Sequence, residues 1–211
     1  MTFFIVGAGG FGRETLDALR AASPDRAGDV EFLDDHALAG EIDGVRVRRP
    51  GRVDGGTFVV TVADPRARAR LAGTLLARGL LAGQVIHPRA VISPGAVIGP
   101  GCVVLAGVFV STGALLGAHV QVNYNASVGH DSALGDFVTV LPGANIAGAV
   151  TLGASGTVGS NACGARSTIQ SSARPTAASP PSRRISWATG PCATASKPLR
   201  YKAASSMPAS L

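Results

Sequence analysis

Ala90-Val91-Ile92-Ser93-Pro94-Gly95 is followed by Ala96-Val97-Ile98-Gly99-Pro100-Gly101, and the six-residue spacing begun there runs on to Cys163. Aliphatic side chains recur at Ile92, Ile98, Val104, Val110, Leu116, Val122, Val128, Leu134, Val140, Ile146, Leu152 and Val158. Two places before each stands a small or short residue, among them Ala90, Ala96, Cys102, Ala114, Ala126, Ser132 and Ala144. A helix repeats every 3.6 residues and a plain strand every 2, and neither gives six. A fixed period over many units marks a solenoid. Six residues suit one short strand and a turn, with both marked side chains pointing inward. Three such units close a triangular coil, so the stretch predicts about four stacked coils joined by backbone hydrogen bonds.

Outward from the repeat, the next aliphatic places hold Gly164, Gln170, Thr176 and Ser182, and the period ends. All 13 acidic residues precede Cys163, whereas 164–211 carries seven basic residues and no acidic one. The net charge of +6 therefore belongs to a Ser/Ala/Pro/Arg-rich tail, and a nucleic-acid role would rest on that tail alone. Such composition predicts a low-complexity, disordered segment. The joint loss of acid, glycine regularity and period also reads as a shifted reading frame. No long apolar run and no signal-like segment stands out, which predicts a cytoplasmic protein with no membrane span. Cys102, Cys163 and Cys192 form no metal or disulfide pattern, and Cys102 falls in the inward small-residue row.

Before the repeat, strands and helices alternate. Thr2 to Val6 reads as a buried strand, followed by Gly7-Ala8-Gly9-Gly10-Phe11-Gly12 and a helix to about Ala22. Val30 to Leu33 reads as a second strand ending at Asp34-Asp35, and Val45-Arg46-Val47 as a weak one. Phe58 to Val62 is a stronger strand, and Asp64-Pro65 then reads as an N-cap with proline at the first helical position. The alternation predicts a small Rossmann-like parallel sheet over 1–82, followed by the solenoid over 83–163 and the tail over 164–211. Glycines at 7, 9 and 12 between a strand and a helix let amide N–H groups face a phosphate. Asp34 stands where a ribose-binding acid would. An NAD site and a sugar-nucleotide site both fit this pattern.

The period resembles the hexapeptide repeat of left-handed parallel β-helix acyltransferases. Ser127-Val128-Gly129-His130-Asp131-Ser132-Ala133-Leu134-Gly135-Asp136-Phe137, continuing to Leu141-Pro142-Gly143-Ala144, is similar to the NeuD/PglD-type sugar acyltransferases. The resemblance implies the left hand of the helix and the use of acetyl-CoA. It also implies a nucleotide-linked amino sugar as acceptor and assembly as a homotrimer with sites between subunits. Gly9, Gly10 and Phe11 match the family's nucleotide loop, and Asp34 and Asp35 its acidic pair, which implies a UDP-sugar. Ala63 stands where members often carry glycine, a departure that bears on the sugar or base accepted. Thr139 aligns with a position near the CoA thiol where histidine can occur.

Acetyl transfer to an amine needs a base, and histidine suits because its ordinary pKa lies near neutrality. Of His36, His87, His119 and His130, the first two read as local hydrogen-bonding residues. His119 reads as facing outward with no acidic neighbour. His130 falls at a coil corner with Asp131 directly after it, and both match the family's base and adjacent acid. Asn123 and Asn125, one repeat earlier, read as candidates to line the same groove. No nucleophile with a partner base is evident, which predicts direct transfer with no acyl-enzyme and no metal. The expected function is acetyl-CoA-dependent N-acetylation of a UDP-amino sugar. Alternatives are O-acetylation of sialic acid or another surface glycan, and an inactive sugar-nucleotide-binding protein lacking its last coils.

Overall fold

The computed structural model describes residues 1–26, 28–36 and 40–164. The expected tail lies outside the described residues apart from Gly164, and Cys192 lies outside with it.

The first part is an open sheet with a helix against each face. Its elements are β1 (Phe3–Val6), α1 (Gly10–Ala22), β2 (Val30–Leu33), β3 (Glu41–Ile42), β4 (Val45–Arg48), β5 (Thr57–Val60), α2 (Pro65–Ala77) and β6 (Leu81–Ala82). The strands lie in the order β3-β4-β2-β1-β5-β6. Every neighbouring pair is parallel except β3 with β4. The antiparallel pair turns through Asp43-Gly44, both in the left-handed region at φ 50° and 77°. Asp-Gly is a strong signal for a tight hairpin, and it explains an edge strand that the hydrophobic pattern did not announce. All four residues of β1 are buried, as a central strand covered on both faces requires. Phe3 and Ile5 pack with Leu16 and Leu19 of α1, while Phe4 and Val6 pack with Ala72 and Leu75 of α2. Asp64 caps α2 by accepting from the Ala67 N–H at 2.7 Å, with proline following it.

From Val85 onward the chain forms two-residue strands every six residues, from Val85–Ile86 to Cys163–Gly164. They stack into three parallel sheets of five, five and four strands. Partners lie eighteen positions apart, as in Val103↔Gln121, Phe109↔Ser127 and Leu115↔Ala133. Eighteen residues per coil and three faces per coil are what the period of six predicts. Both inward rows meet in one core that holds Cys102, Val104, Ala114, Leu116, Ala126, Val128, Ala144 and Ile146. Burial pushes the Cys102 thiol up to about 11, and its Sγ donates to the Gly117 carbonyl at 3.1 Å. This thiol is structural.

The coil corners need a left-handed backbone once per six residues. Glycine supplies it at 101, 107, 113 and 143, but His119, Asn125, Asp131, Phe137, Ala149, Ser155 and Asn161 hold the same place with φ near 60°. Asn and Asp tolerate this region best because their side chains bond locally. The sheet docks on one face of the solenoid. Val85, Val103 and Leu105 join the α1-side core, and Phe137 packs against the α2-side core.

Candidate active site

His130 and Asp131 form the turn between strands Ser127–Val128 and Ala133–Leu134. Asp131 takes the left-handed corner at φ 56°, which swings its carboxylate beside the preceding ring. His130 Nδ1 lies 2.9 Å from Asp131 Oδ2. A carboxylate only accepts, so Nδ1 is the donor in this pair, and in the neutral imidazole Nε2 keeps its lone pair. Both side chains stand in solvent, 58% and 69% exposed. One coil further on, the ring passes over Gly148. A Cβ built on Gly148 would come within 2.6 Å of Cδ2 and Cε1 and closer still to Nε2. The place of the ring at this corner therefore depends on a missing methyl group.

A second cluster gathers at the sheet edge. β2, β1 and β5 are parallel neighbours with Leu33, Val6 and Val60 in register, so the segments that follow them line one edge. Asp34 Oδ2 accepts from the Ala8 N–H and Oδ1 from the His36 N–H, each at 2.8 Å. The acid thus ties the glycine loop to the end of β2. Gly9 is the N-cap of α1 and no side chain caps the helix there, which leaves the first-turn N–H groups without an intrahelical acceptor. Gly9 and Gly10 are exposed with open space where a Cβ would be. Gly12 is different, because a Cβ there would strike the Gly7 carbonyl. Phe11 is half-buried, and Asp35 and Ala63 are exposed beside the loop.

A third cluster fills the seam between the sheet and the solenoid. Arg68 of α2 is completely buried. Its Nη1 donates to the Val62 carbonyl at 2.8 Å, the Ala63 carbonyl at 3.2 Å and Gln121 Oε1 at 3.0 Å. Its Nη2 donates to the Phe137 carbonyl and to Thr139 Oγ1. Gln121 in turn donates from Nε2 to the Val60 carbonyl at 2.9 Å. Burial pulls the guanidinium down to about 10.

Several expectations need correction at this seam. His119 points away from the coil axis but not into solvent. It is buried, stacked on Phe137 at 5.1 Å and facing Phe58 at 6.0 Å, because the docked sheet covers this corner. Thr139 is also buried, with its hydroxyl engaged by Arg68. It lies on a different face from His130, so the structure does not bring the two together. Asn123 is buried and donates to the Val140 carbonyl at 3.0 Å, which removes it from the groove beside His130. Asn125 stays exposed at the preceding corner.

His119 has a consequence for stability. Burial, and then the Arg68 charge, lower its pKa from the ordinary 6.5. The unfolded chain takes up this proton first as the pH falls, so stability is held above about 6.5 and lost below it. The loss continues down to the folded value, at a limit of about 1.4 kcal/mol per pH unit. His119→Phe should flatten this part of the stability curve, since Phe137 shows that a phenyl ring is accepted at a left-handed corner. Urea unfolding of both proteins from pH 7 to pH 5 checks this, and parallel curves would contradict it.

Among the described residues no group of His, Cys, Asp and Glu is placed to hold a metal ion. No helix among them is long and apolar enough to cross a membrane.

Comparison with known proteins decides the family. The acetyltransferase domain of PglB from Neisseria gonorrhoeae FA1090, solved with acetyl coenzyme A, is 33% identical. It superposes with a TM-score of 0.69 over 77% of this chain and 80% of that one. The chain belongs to the sugar acetyltransferases of the hexapeptide-repeat family. GDP-perosamine N-acetyltransferase of Escherichia coli O157:H7 is 28% identical over 166 residues, 75% of each chain. A histidine-to-alanine variant of the Caulobacter crescentus GDP-perosamine N-acetyltransferase, solved with CoA and GDP-perosamine, is 25% identical. Its TM-score is 0.52 over 78% of this chain and 91% of that one. No family model matches the chain.

This acetyltransferase also holds residues that the sequence reading passed over. Arg68 and Gln121 make the seam, and one signal for Arg68 was available. It falls on the same helical stripe as the buried Ala72 and Leu75, four and seven places on, where an unaccompanied arginine must find acceptors. Gly148 carried no signal beyond its eighteen-residue offset from His130.

Proposed function

We propose that the protein transfers the acetyl group of acetyl-CoA directly to the amine of a nucleoside-diphosphate amino sugar, with His130 as general base. The observation that carries this reading is the His130–Asp131 pair, with Nδ1 fixed by a carboxylate at 2.9 Å and Nε2 free at a solvent-facing corner. In this reading His130 Nε2 takes the amine proton as the nitrogen attacks the thioester carbonyl. Asp131 stabilises the imidazolium that forms. The C–N bond forms, the C–S bond breaks, and the proton passes from Nε2 to the departing sulfur.

Residues 1–82 serve as a Rossmann-like nucleotide-binding domain and 83–163 as a left-handed acyltransferase domain. Gly9, Gly10 and Phe11 receive the diphosphate at the start of α1, where open N–H groups and the helix dipole favour an anion. Asp34 holds that loop in shape, while Asp35 and Ala63 border the nucleoside. The sequence resemblance favours UDP, while the curated relative and one solved relative act on or bind GDP-perosamine. Both nucleotides therefore enter the test. The protein works as a homotrimer. Val91 with Phe109 and Val97 with Leu115 form exposed apolar pairs on two adjacent solenoid faces, which a neighbouring copy would cover.

Thiol release from acetyl-CoA, measured with UDP- and GDP-linked 4-amino sugars and with sialic acid, tests the reading. Release with a nucleotide amino sugar is expected. Release with sialic acid alone would replace N-transfer by O-transfer, and nucleotide binding without release would leave a binding protein. Gly148→Ala supplies a finer check. Because the methyl meets an exposed side chain, the fold should survive while the ring moves off its line. The expected loss in kcat is about 10²-fold, the order that a misplaced catalytic group costs. Unchanged kcat in a folded Gly148→Ala protein would argue against Nε2 as the base.

A further inference from the structure

We infer that Arg68 is a positioning residue for acetyl transfer, holding the nucleotide edge of the sheet in a fixed place relative to the solenoid that bears His130. The inference rests on the reading of that edge as the nucleotide site. A buried arginine with no carboxylate in its bonding shell is costly unless its donors are satisfied. Here four terminal N–H groups meet five acceptors, while the Nε–H has none. The acceptors fall into two sets. The Val62 and Ala63 carbonyls close the loop after β5, and Ala63 lies at the proposed nucleoside border. Gln121, Phe137 and Thr139 belong to successive coils of the solenoid.

One planar guanidinium therefore spans the seam and fixes both sides at once. Gln121 repeats the link, donating to the Val60 carbonyl while accepting from Arg68. A hydrophobic residue in this place would also have packed the seam, but it would not have fixed the direction of the loop carbonyls. A lysine would present a single ammonium and could not reach both sets with a fork.

The test compares wild type with Thr139→Val and Arg68→Lys, each assayed well below its melting temperature. Thr139→Val keeps the β-branched shape and removes one acceptor. It should raise KM for the nucleotide sugar about threefold to tenfold, the effect of one hydrogen bond, and leave KM for acetyl-CoA unchanged. Arg68→Lys should raise it by more than about tenfold and lower kcat as well. Amide hydrogen exchange across 61–67, read without any ligand, should quicken in both variants. Lower melting temperatures with unchanged kinetics and unchanged exchange would reduce Arg68 to a structural residue and overturn the inference. A rise in KM for acetyl-CoA after Thr139→Val would overturn it too, placing Thr139 at the acyl donor instead. Wild-type protein that binds neither UDP- nor GDP-sugar would sink the reading beneath it, which is a different failure from unaltered KM in folded variants.

Discussion

His130→Ala is expected to lower kcat for acetyl transfer by ~10²–10⁴, the usual contribution of a general base, while leaving the protein folded. The side chain is mostly in solvent and closes no core, so the melting temperature should not move by more than a degree or two, as surface changes usually cost under about 0.5 kcal/mol. KM for either substrate should change little, because the ring acts on the proton and not on the diphosphate or the pantetheine. Asp131→Asn separates the two roles of the pair. Asparagine is comfortable in the left-handed corner and can still accept from Nδ1–H, but it cannot stabilise an imidazolium by charge. A loss of about tenfold, smaller than for His130→Ala, is expected. Steady-state kinetics with both substrates varied, beside thermal melts, checks both variants.

Arg68→Ala should be strongly destabilising. Truncation removes a fully buried side chain and strands the Phe137 and Ala63 carbonyls, Gln121 Oε1 and Thr139 Oγ1, while the Val62 carbonyl keeps only the longer bond from Gln121 Nε2 at 3.4 Å. Each unsatisfied buried group costs about 1–3 kcal/mol, and the vacated volume adds a cavity term. A loss above about 4 kcal/mol is expected, a size reached only by such mechanisms. Chemical denaturation followed by circular dichroism measures it. A loss below about 1 kcal/mol would mean that the seam repacks or takes up water, and that the guanidinium network contributes little.

The solenoid was legible in the sequence because a coil with two inward rows tolerates only aliphatic and small residues there, and the chain obeys this from Ile92 to Val158. The corner histidine and its acid were legible because they sit next to each other. What the period could not reveal is which of the three faces another part of the chain would cover. His119 reads as outward by its place in the repeat, and relative to the coil axis it is, as are Gln121 and Thr139. They are buried because the sheet docks on that side, a tertiary fact with no periodic signature. Thr139 shows the result most clearly. Its alignment with a thiol-side position implied contact with CoA, yet its hydroxyl belongs to Arg68. The β3–β4 hairpin was missed for a local reason, since a two-residue strand such as Glu41–Ile42 has no hydrophobic pattern of its own. Only its Asp43-Gly44 turn announced it.

The most direct test of the account is to incubate wild type and His130→Ala with acetyl-CoA and a UDP- or GDP-linked 4-amino sugar, and to identify the product by NMR. An acetamido sugar nucleotide and matching thiol release are expected with wild type, and only a slow trace of both with His130→Ala. Equal product from the two proteins would contradict the role given to His130. An acetyl group found on a hydroxyl would contradict transfer to nitrogen.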